Sequence, residues 1–237
     1  MPGTDPVATQ GDGTPTAHRV RAILRAKQIL REAVAESRSL SSSASREAAD
    51  TSRTERAQTF VGELARPGLT VSAYLSTDDE PGTLELVTWL HSLGVTVLLP
   101  VVGSDEVTLP VDDSGRAAPH WAAYSGPETL QTGTYGILQP EGEVLPPEAI
   151  NEAHMIICPG LAASTDGSRL GRGGAWYDRA FGFASDTAAR VCLLNDNEVI
   201  SSVPTESSDR GIDVIITEAR TIVCGLPDSG TASEELA

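Results

Sequence analysis

TVSAYLSTDDEPGTLELVTWLHSLGVTVLLPVV, residues 70–102, reads as strand, helix, strand. Thr70–Leu75 is a short apolar run, Pro81 to Leu93 repeats its apolar residues at helical spacing, and Val95–Val102 is almost wholly aliphatic. Gly94 stands just past the helix, where a C-terminal cap is expected. Similar strand-like runs follow at Val107–Val111, Met155–Cys158, Val191–Leu194 and Asp213–Thr217. Strands alternating with helices predict an α/β fold, a single three-layer domain with a mixed, mostly parallel sheet flanked by helices.

Outward from this unit the pattern changes. On the N-terminal side, Ala17 to Ser39 is helical by period, Ser41-Ser42-Ser43 breaks it, and a second helix is expected over Ala44 to Leu64. On the other side, Ser104 to Pro147 is rich in Pro and Gly and reads as short antiparallel strands and loops. Residues 1–16 and 226–237 lack an apolar period and read as disordered arms, which leaves 17–225 as the domain.

The chain has 237 residues, 40% of them hydrophobic, enough for a core that needs no staples. No stretch reaches the roughly 18 apolar residues of a membrane helix, and the N-terminus lacks the layout of a secretory signal, so a cytoplasmic protein without a membrane partner is expected. The formal net charge of -16 argues against nucleic acid, whose phosphates demand basic surface. Any anionic ligand must be held by a few placed cations. Cys158, Cys192 and Cys224 lie in apolar runs without a C-x-x-C pair and read as buried free thiols, not as a disulfide framework or zinc site.

Three segments carry candidate chemistry. With Val20 of the first helix at ~0° on a wheel of ~100° per residue, Ile23, Leu24, Leu30 and Val34 form one apolar face, and Lys27 and Arg31 fall at ~340° and ~20°, inside it. Lys27 is the only lysine in the chain. Two cations in a packing face either meet an anion there or snorkel to its edge. The second segment is Leu75-Ser76-Thr77-Asp78-Asp79-Glu80, between a strand and a helix, where open α/β sheets place ligands. Its carboxylates either accept substrate N–H groups or cations, or simply neutralise the helix N-terminus. The third runs from Pro159-Gly160-Leu161 through Arg169-Leu170-Gly171-Arg172-Gly173-Gly174-Ala175-Trp176-Tyr177-Asp178. Its glycines let backbone N–H groups approach an anion, its arginines suit phosphate, and its aromatics offer flat faces to a planar ring; the alternative is a hairpin turn with two surface arginines. Asp209 and Asp213 precede a strand, and a carboxylate there either serves as a magnesium ligand, if Asp178 approaches it in space, or belongs to a solvated turn. The four histidines lie in no metal or triad spacing.

Taken in order, these segments resemble the 5-formyltetrahydrofolate cyclo-ligase (methenyltetrahydrofolate synthetase) family. The resemblance rests on Lys27-Gln28-Ile29-Leu30-Arg31, on Tyr74 to Thr83, on Gly94 to Pro100, on Gly136 to Pro140, and above all on Pro159-Gly160-Leu161 with Arg169 to Asp178. It covers roughly Ala22 to Glu218. It implies an ATP- and magnesium-dependent ligase that phosphorylates the formyl oxygen of 5-formyltetrahydrofolate and closes the ring to the 5,10-methenyl product, releasing ADP and phosphate; a monomer is expected. By the same resemblance, Lys27, Arg31 and the segment Arg169, Leu170, Gly171, Arg172, Gly173, Gly174, Ala175, Trp176 and Tyr177 would bind ATP. Leu75 and Glu80, with Arg172 to Trp176, would bind the folate. Arg172 and Tyr177 would be catalytic, and Asp178 and Asp209 would hold magnesium. Ala175 stands for a usual glycine, Trp176 for a usual tyrosine, Ala163-Ser164 for a common Phe-Asp, and Leu138 for a frequent proline. The alternative these departures suggest is a relative that binds nucleotide or folate without turnover.

Overall fold

The helical period of the N-terminal region becomes α1 (Pro15–Ser39), and beyond the serine break α2 (Ser43–Gly62). The strand–helix–strand unit follows as β1 (Thr70–Ser72), α3 (Leu84–Ser92) and β2 (Thr96–Val101). The computed structural model describes residues 15–62, 64–77, 79–103, 108–111 and 115–225. The two terminal arms lie outside these, except that Pro15 and Thr16 start α1.

Helix α3 begins three residues later than the apolar period suggests, because Thr83 is committed to the preceding loop. Its hydroxyl donates to the Tyr74 carbonyl at 2.6 Å and accepts from the Ser76 N–H at 3.0 Å. At the other end Gly94 has φ 76°. The Gly94 N–H reaches the His91 carbonyl at 2.9 Å and the Val95 N–H reaches Leu90 at 3.3 Å, the paired bonds of a Schellman cap.

The Pro/Gly-rich region supplies the antiparallel pieces expected of it, β3 (His120–Ala123) beside β2, and β4 (Leu130–Thr132) paired with β5 (Leu138–Pro140). The run Val107–Val111 forms no strand in its described part, only an isolated bridge from Val111 to Ala117; Val107 is outside the described residues. Then come β6 (Met155–Pro159), the two-residue strands β7 (Ala162–Ala163) and β8 (Arg169–Leu170), α4 (Trp176–Ala180), β9 (Ala189–Leu193), β10 (Val214–Ile216) and β11 (Thr221–Val223).

Seven strands form one sheet in the order β11-β10-β9-β6-β1-β2-β3. The five inner strands are parallel and the two edge strands antiparallel. Val71 pairs with Val97 on one side and Met155 on the other, and Cys158 pairs with Cys192. Parallel strands are covered on both faces, so Val97, Leu99, Ile156, Ile157, Val191 and Ile215 are all buried. Helix α2 lies against α3 and β10, and α4 adds Tyr177, Ala180 and Phe181 to the same core. Cys158 and Cys192 are buried free thiols; Cys224 is free and half-buried, its thiol pushed up to about 11 by burial and nearby carboxylates.

The apolar face of α1 packs only in its second half. Leu30 and Val34 meet Leu161, Ala162, Leu170 and Val203, while Val20 is 40% and Leu24 48% exposed. Ile23, between them on the same face, is half-buried. No described helix is long and apolar enough to cross a membrane.

Candidate active site

From β1 the chain moves to β2 in one direction across the sheet, and from β6 to β9 and β10 in the other. Between β1 and β6 the order reverses, and the crevice at the carboxyl ends of such a pair is where open α/β sheets bind ligands. The loop after β1 and the glycine-rich loop after β6 both open there.

The first loop buries Tyr74 and Leu75 and folds Glu80 back on Thr77, whose N–H and hydroxyl meet Glu80 Oε2 at 3.0 and 3.1 Å. Leu75 thus belongs to the core beneath the crevice. The second loop starts as a hairpin in which the Leu161 N–H bonds to the Leu170 carbonyl at 2.8 Å. Arg169 turns inward. It is 7% exposed, donates to the Pro159 carbonyl at 3.1 Å and to Asp178 Oδ1 at 3.3 Å, and lies over the Phe181 ring at 5.6 Å. Arg172 turns outward and crosses to the first loop. Its Nε meets Glu80 Oε1 at 2.9 Å and its Nη2 meets Asp79 Oδ1 at 2.6 Å. Asp79 and Glu80 therefore face Arg172 instead of the N-terminus of α3. Burial would raise the Asp79 carboxyl, but Arg172 and Thr77 outweigh it and hold the group below the ordinary carboxylate value.

Past Arg172, Gly173 takes φ 104° over the guanidinium of Arg31, where an added Cβ would lie 3.3 Å from Arg31 Cζ. Arg31 Nε donates to the Gly171 carbonyl at 2.9 Å. Ala175 takes φ 51°, the one positive φ at a described residue other than glycine. The helix that follows has only five residues and no side-chain cap, so its dipole contributes little to anion binding. Trp176 packs edge-on against Trp121 at 5.0 Å and Tyr177 at 4.8 Å. The Tyr177 hydroxyl is buried without a partner among the described residues, and burial with the nearby Cys158 and Glu80 pushes it well above the usual phenol range.

Lys27 does not snorkel. It is 5% exposed and pairs with Asp209 Oδ2 at 2.6 Å and Glu206 Oε2 at 2.8 Å. Burial lowers its pKa, but the two carboxylates outweigh that and raise it above the ordinary value. Asp178 Oδ1 accepts the Arg210 N–H at 3.1 Å, so the segments of Asp178 and Asp209 touch. Among the described residues no three His, Cys, Asp or Glu side chains gather as a metal cage. Asp178 and Asp209 each spend one oxygen on protein donors and, among the described residues, keep the other without one. That fits magnesium, which takes one or two carboxylates and completes its shell with water and phosphate oxygens.

The fold thus joins Arg172 to Glu80, Arg31 to Gly171, and Arg169 through Asp178 to the Asp209–Lys27 pair. Sequence reasoning missed Glu206, which shares Lys27, and Arg38, whose Nε meets Glu198 Oε1 at 2.7 Å while Nη2 meets Glu198 Oε2 and the Gly160 carbonyl at 2.9 Å each. The signal for Arg38 was available, since it falls at ~0° on the wheel that singled out Lys27 and Arg31. Arg38, Asp79, Glu80 and Asn195 also line a polar cleft of about 600 Å³ beside the crevice.

Residues 23–218 match the 5-formyltetrahydrofolate cyclo-ligase family. The chain is 34% identical over 199 residues to the 5-formyltetrahydrofolate cyclo-ligase of Mycolicibacterium smegmatis, covering 84% of this chain and 97% of that one. It is 27% identical to the probable 5-formyltetrahydrofolate cyclo-ligase of Caenorhabditis elegans, covering 65% and 74%. The fold is that of the 5,10-methenyltetrahydrofolate synthetases of Aquifex aeolicus (TM-score 0.66, 23% identity, 86% and 95% covered) and Mycoplasma pneumoniae (TM-score 0.61, 16% identity, 81% and 98% covered).

Proposed function

Since this chain belongs to the 5-formyltetrahydrofolate cyclo-ligase family, we propose that it converts 5-formyltetrahydrofolate to 5,10-methenyltetrahydrofolate with ATP and magnesium, releasing ADP and phosphate. The observation that carries this reading is the bridge from Arg172 to Glu80 and Asp79, which joins the glycine-rich loop to the loop after β1 at the reversal of strand order.

In this reading the formyl oxygen attacks the γ-phosphorus and the bond to the β,γ-bridging oxygen breaks, so ADP departs. The anilino nitrogen then adds to the activated formyl carbon and loses its proton, and the C–O bond to phosphate breaks to leave the methenyl product. The protein's task is alignment and charge neutralisation. Lys27, Arg31, Arg169 and the backbone from Leu170 to Tyr177 hold the nucleotide. Glu80, above the apolar floor of Leu75, accepts N–H groups of the pterin ring, and Arg172 with its neighbours through Trp176 lies between the two substrates. Arg172 is exposed enough to swing from Glu80 to a phosphoryl oxygen. The buried Tyr177 hydroxyl stays protonated and is available as a donor. Magnesium, held by Asp178 and Asp209, would neutralise phosphate charge. The protein acts as a cytoplasmic monomer on these two small molecules.

The test is the near-UV absorbance of the methenyl product when protein, 5-formyltetrahydrofolate, ATP and magnesium are combined and each is omitted in turn. A rise that needs all four is expected. No rise while ATP still binds would replace this reading with a non-catalytic relative.

A further inference from the structure

Lys27 is the only lysine of the chain, and α1 carries it into the body with its side chain 6% exposed. Its ammonium has three donors, and two are spent on Glu206 Oε2 and Asp209 Oδ2. Asp209 Oδ2 also accepts the Glu206 backbone N–H at 2.7 Å, so the turn from Glu206 to Asp209 closes around the cation. One cation between two carboxylates leaves a net negative cluster. A phosphate oxygen approaching Lys27 must displace a carboxylate from its ammonium, and Arg31, one turn further along α1, is engaged with the Gly171 carbonyl.

Asp209 has a part in the reading above and Glu206 has none. We infer that Glu206 is a positioning residue that makes the nucleotide's access to Lys27 conditional on a divalent cation. Glu206 and Asp209 together occupy the ammonium in place of a phosphate. A cation on the other oxygen of Asp209 offsets that carboxylate's charge, so Glu206 remains as the one uncompensated carboxylate at Lys27. Glu206 is suited to leave, since its side chain is 28% exposed and sits on a turn at the surface. This inference rests on Lys27 as a phosphate contact and Asp209 as a magnesium ligand. It adds that nucleotide without metal is refused by a residue outside the glycine-rich loop.

A lone lysine makes the test direct. In protein grown with carbon-13 lysine, one side-chain Cε signal reports Lys27. In the wild type, ATP with EDTA should leave that signal in place, and ATP with magnesium should move it. In Glu206→Gln, ATP with EDTA should move it. Calorimetric titration should show that omitting magnesium weakens ATP binding at least fivefold less in Glu206→Gln than in the wild type, whereas Glu206→Asp, which keeps the charge, should behave as the wild type. Wild-type Lys27 moving with ATP alone overturns the inference, as does equal magnesium dependence in wild type and Glu206→Gln. If ATP and magnesium bind but the Lys27 signal never moves, the assignment of Lys27 to phosphate falls, and the inference with it. Thermal melting shows whether each variant folds, and Glu206→Ser is read in place of Glu206→Gln if the latter does not.

Discussion

Ala175 is where local chemistry and the required backbone disagree. A left-handed conformation costs a residue with a β-carbon about 1–2 kcal/mol, and Ala175 adopts it with φ 51° and ψ 26°. The chain pays this cost to turn from the glycine-rich loop into α4 and deliver Trp176, Tyr177 and Asp178 to the crevice. Ala175→Gly is expected to stabilise the fold by up to about 1 kcal/mol, the relief being partly offset by the greater freedom of glycine in the unfolded chain. Urea unfolding measures it, and a loss of stability would show that the alanine methyl contributes packing worth more than the strain. The identity of the residue was plain in the sequence, and so was the possibility of an unusual φ. Its actual value depended on how the loop is anchored, by Arg31 beneath Gly171 and Gly173 and by Arg172 across to Glu80.

Among the elements, α1 behaves as two helices in one. Its first turns are exposed, and its last turns are fastened to the sheet by Arg38, which is 4% exposed and binds Glu198 and the Gly160 carbonyl beyond the ends of β9 and β6. Removing one partner of a buried pair leaves an unpaired charge, which costs about 3–5 kcal/mol. Arg38→Met should therefore destabilise the protein by about that amount in denaturant unfolding, whereas Arg38→Met combined with Glu198→Leu should recover most of the loss. A single substitution costing under about 1 kcal/mol would mean that water replaces the guanidinium. Element type and order were legible for α1, α2, α3 and the five parallel strands, because apolar period and turn residues are local signals. The edge strand β11 and the short β7–β8 pair were not: β7 and β8 have two residues each and β11 buries only its middle residue. Strands β1 and β10 are as short as β11 but sit in longer apolar runs. The start of α3 was displaced because Thr83 bonds to residues seven and nine positions back.

For the whole molecule, the ion pairs set the pH range of stability. Asp79 is held below its ordinary value by Arg172 and Thr77, burial notwithstanding, and Asp166 by Ser164 and Ser168. A lowered carboxylate stabilises above its unfolded value, about 3.9, and loses that contribution as the pH falls through the folded value. Lys27 is raised by its two carboxylates despite burial, and Tyr74 and Tyr177 are raised mainly by burial. Each of these stabilises fully below its unfolded value, about 10, and less as the pH climbs past it. Melting temperature should thus be level from roughly pH 5 to 9 and fall on both sides, the alkaline fall being smaller in Lys27→Met. A stability maximum confined to the acid range would contradict these pairings. The sequence by itself determined the layering, the order of the parallel strands and long helices along the chain, the free thiols and the chemistry of the glycine-rich segment, since these follow from composition and short-range period. Only the tertiary structure decided which charges meet. Lys27 finds its carboxylates 179 and 182 residues away, Arg172 finds Glu80 92 away, and Arg38 finds Glu198 160 away. Such partners share no local pattern, and a charge is held or left free only when the packing around it fixes what it can reach.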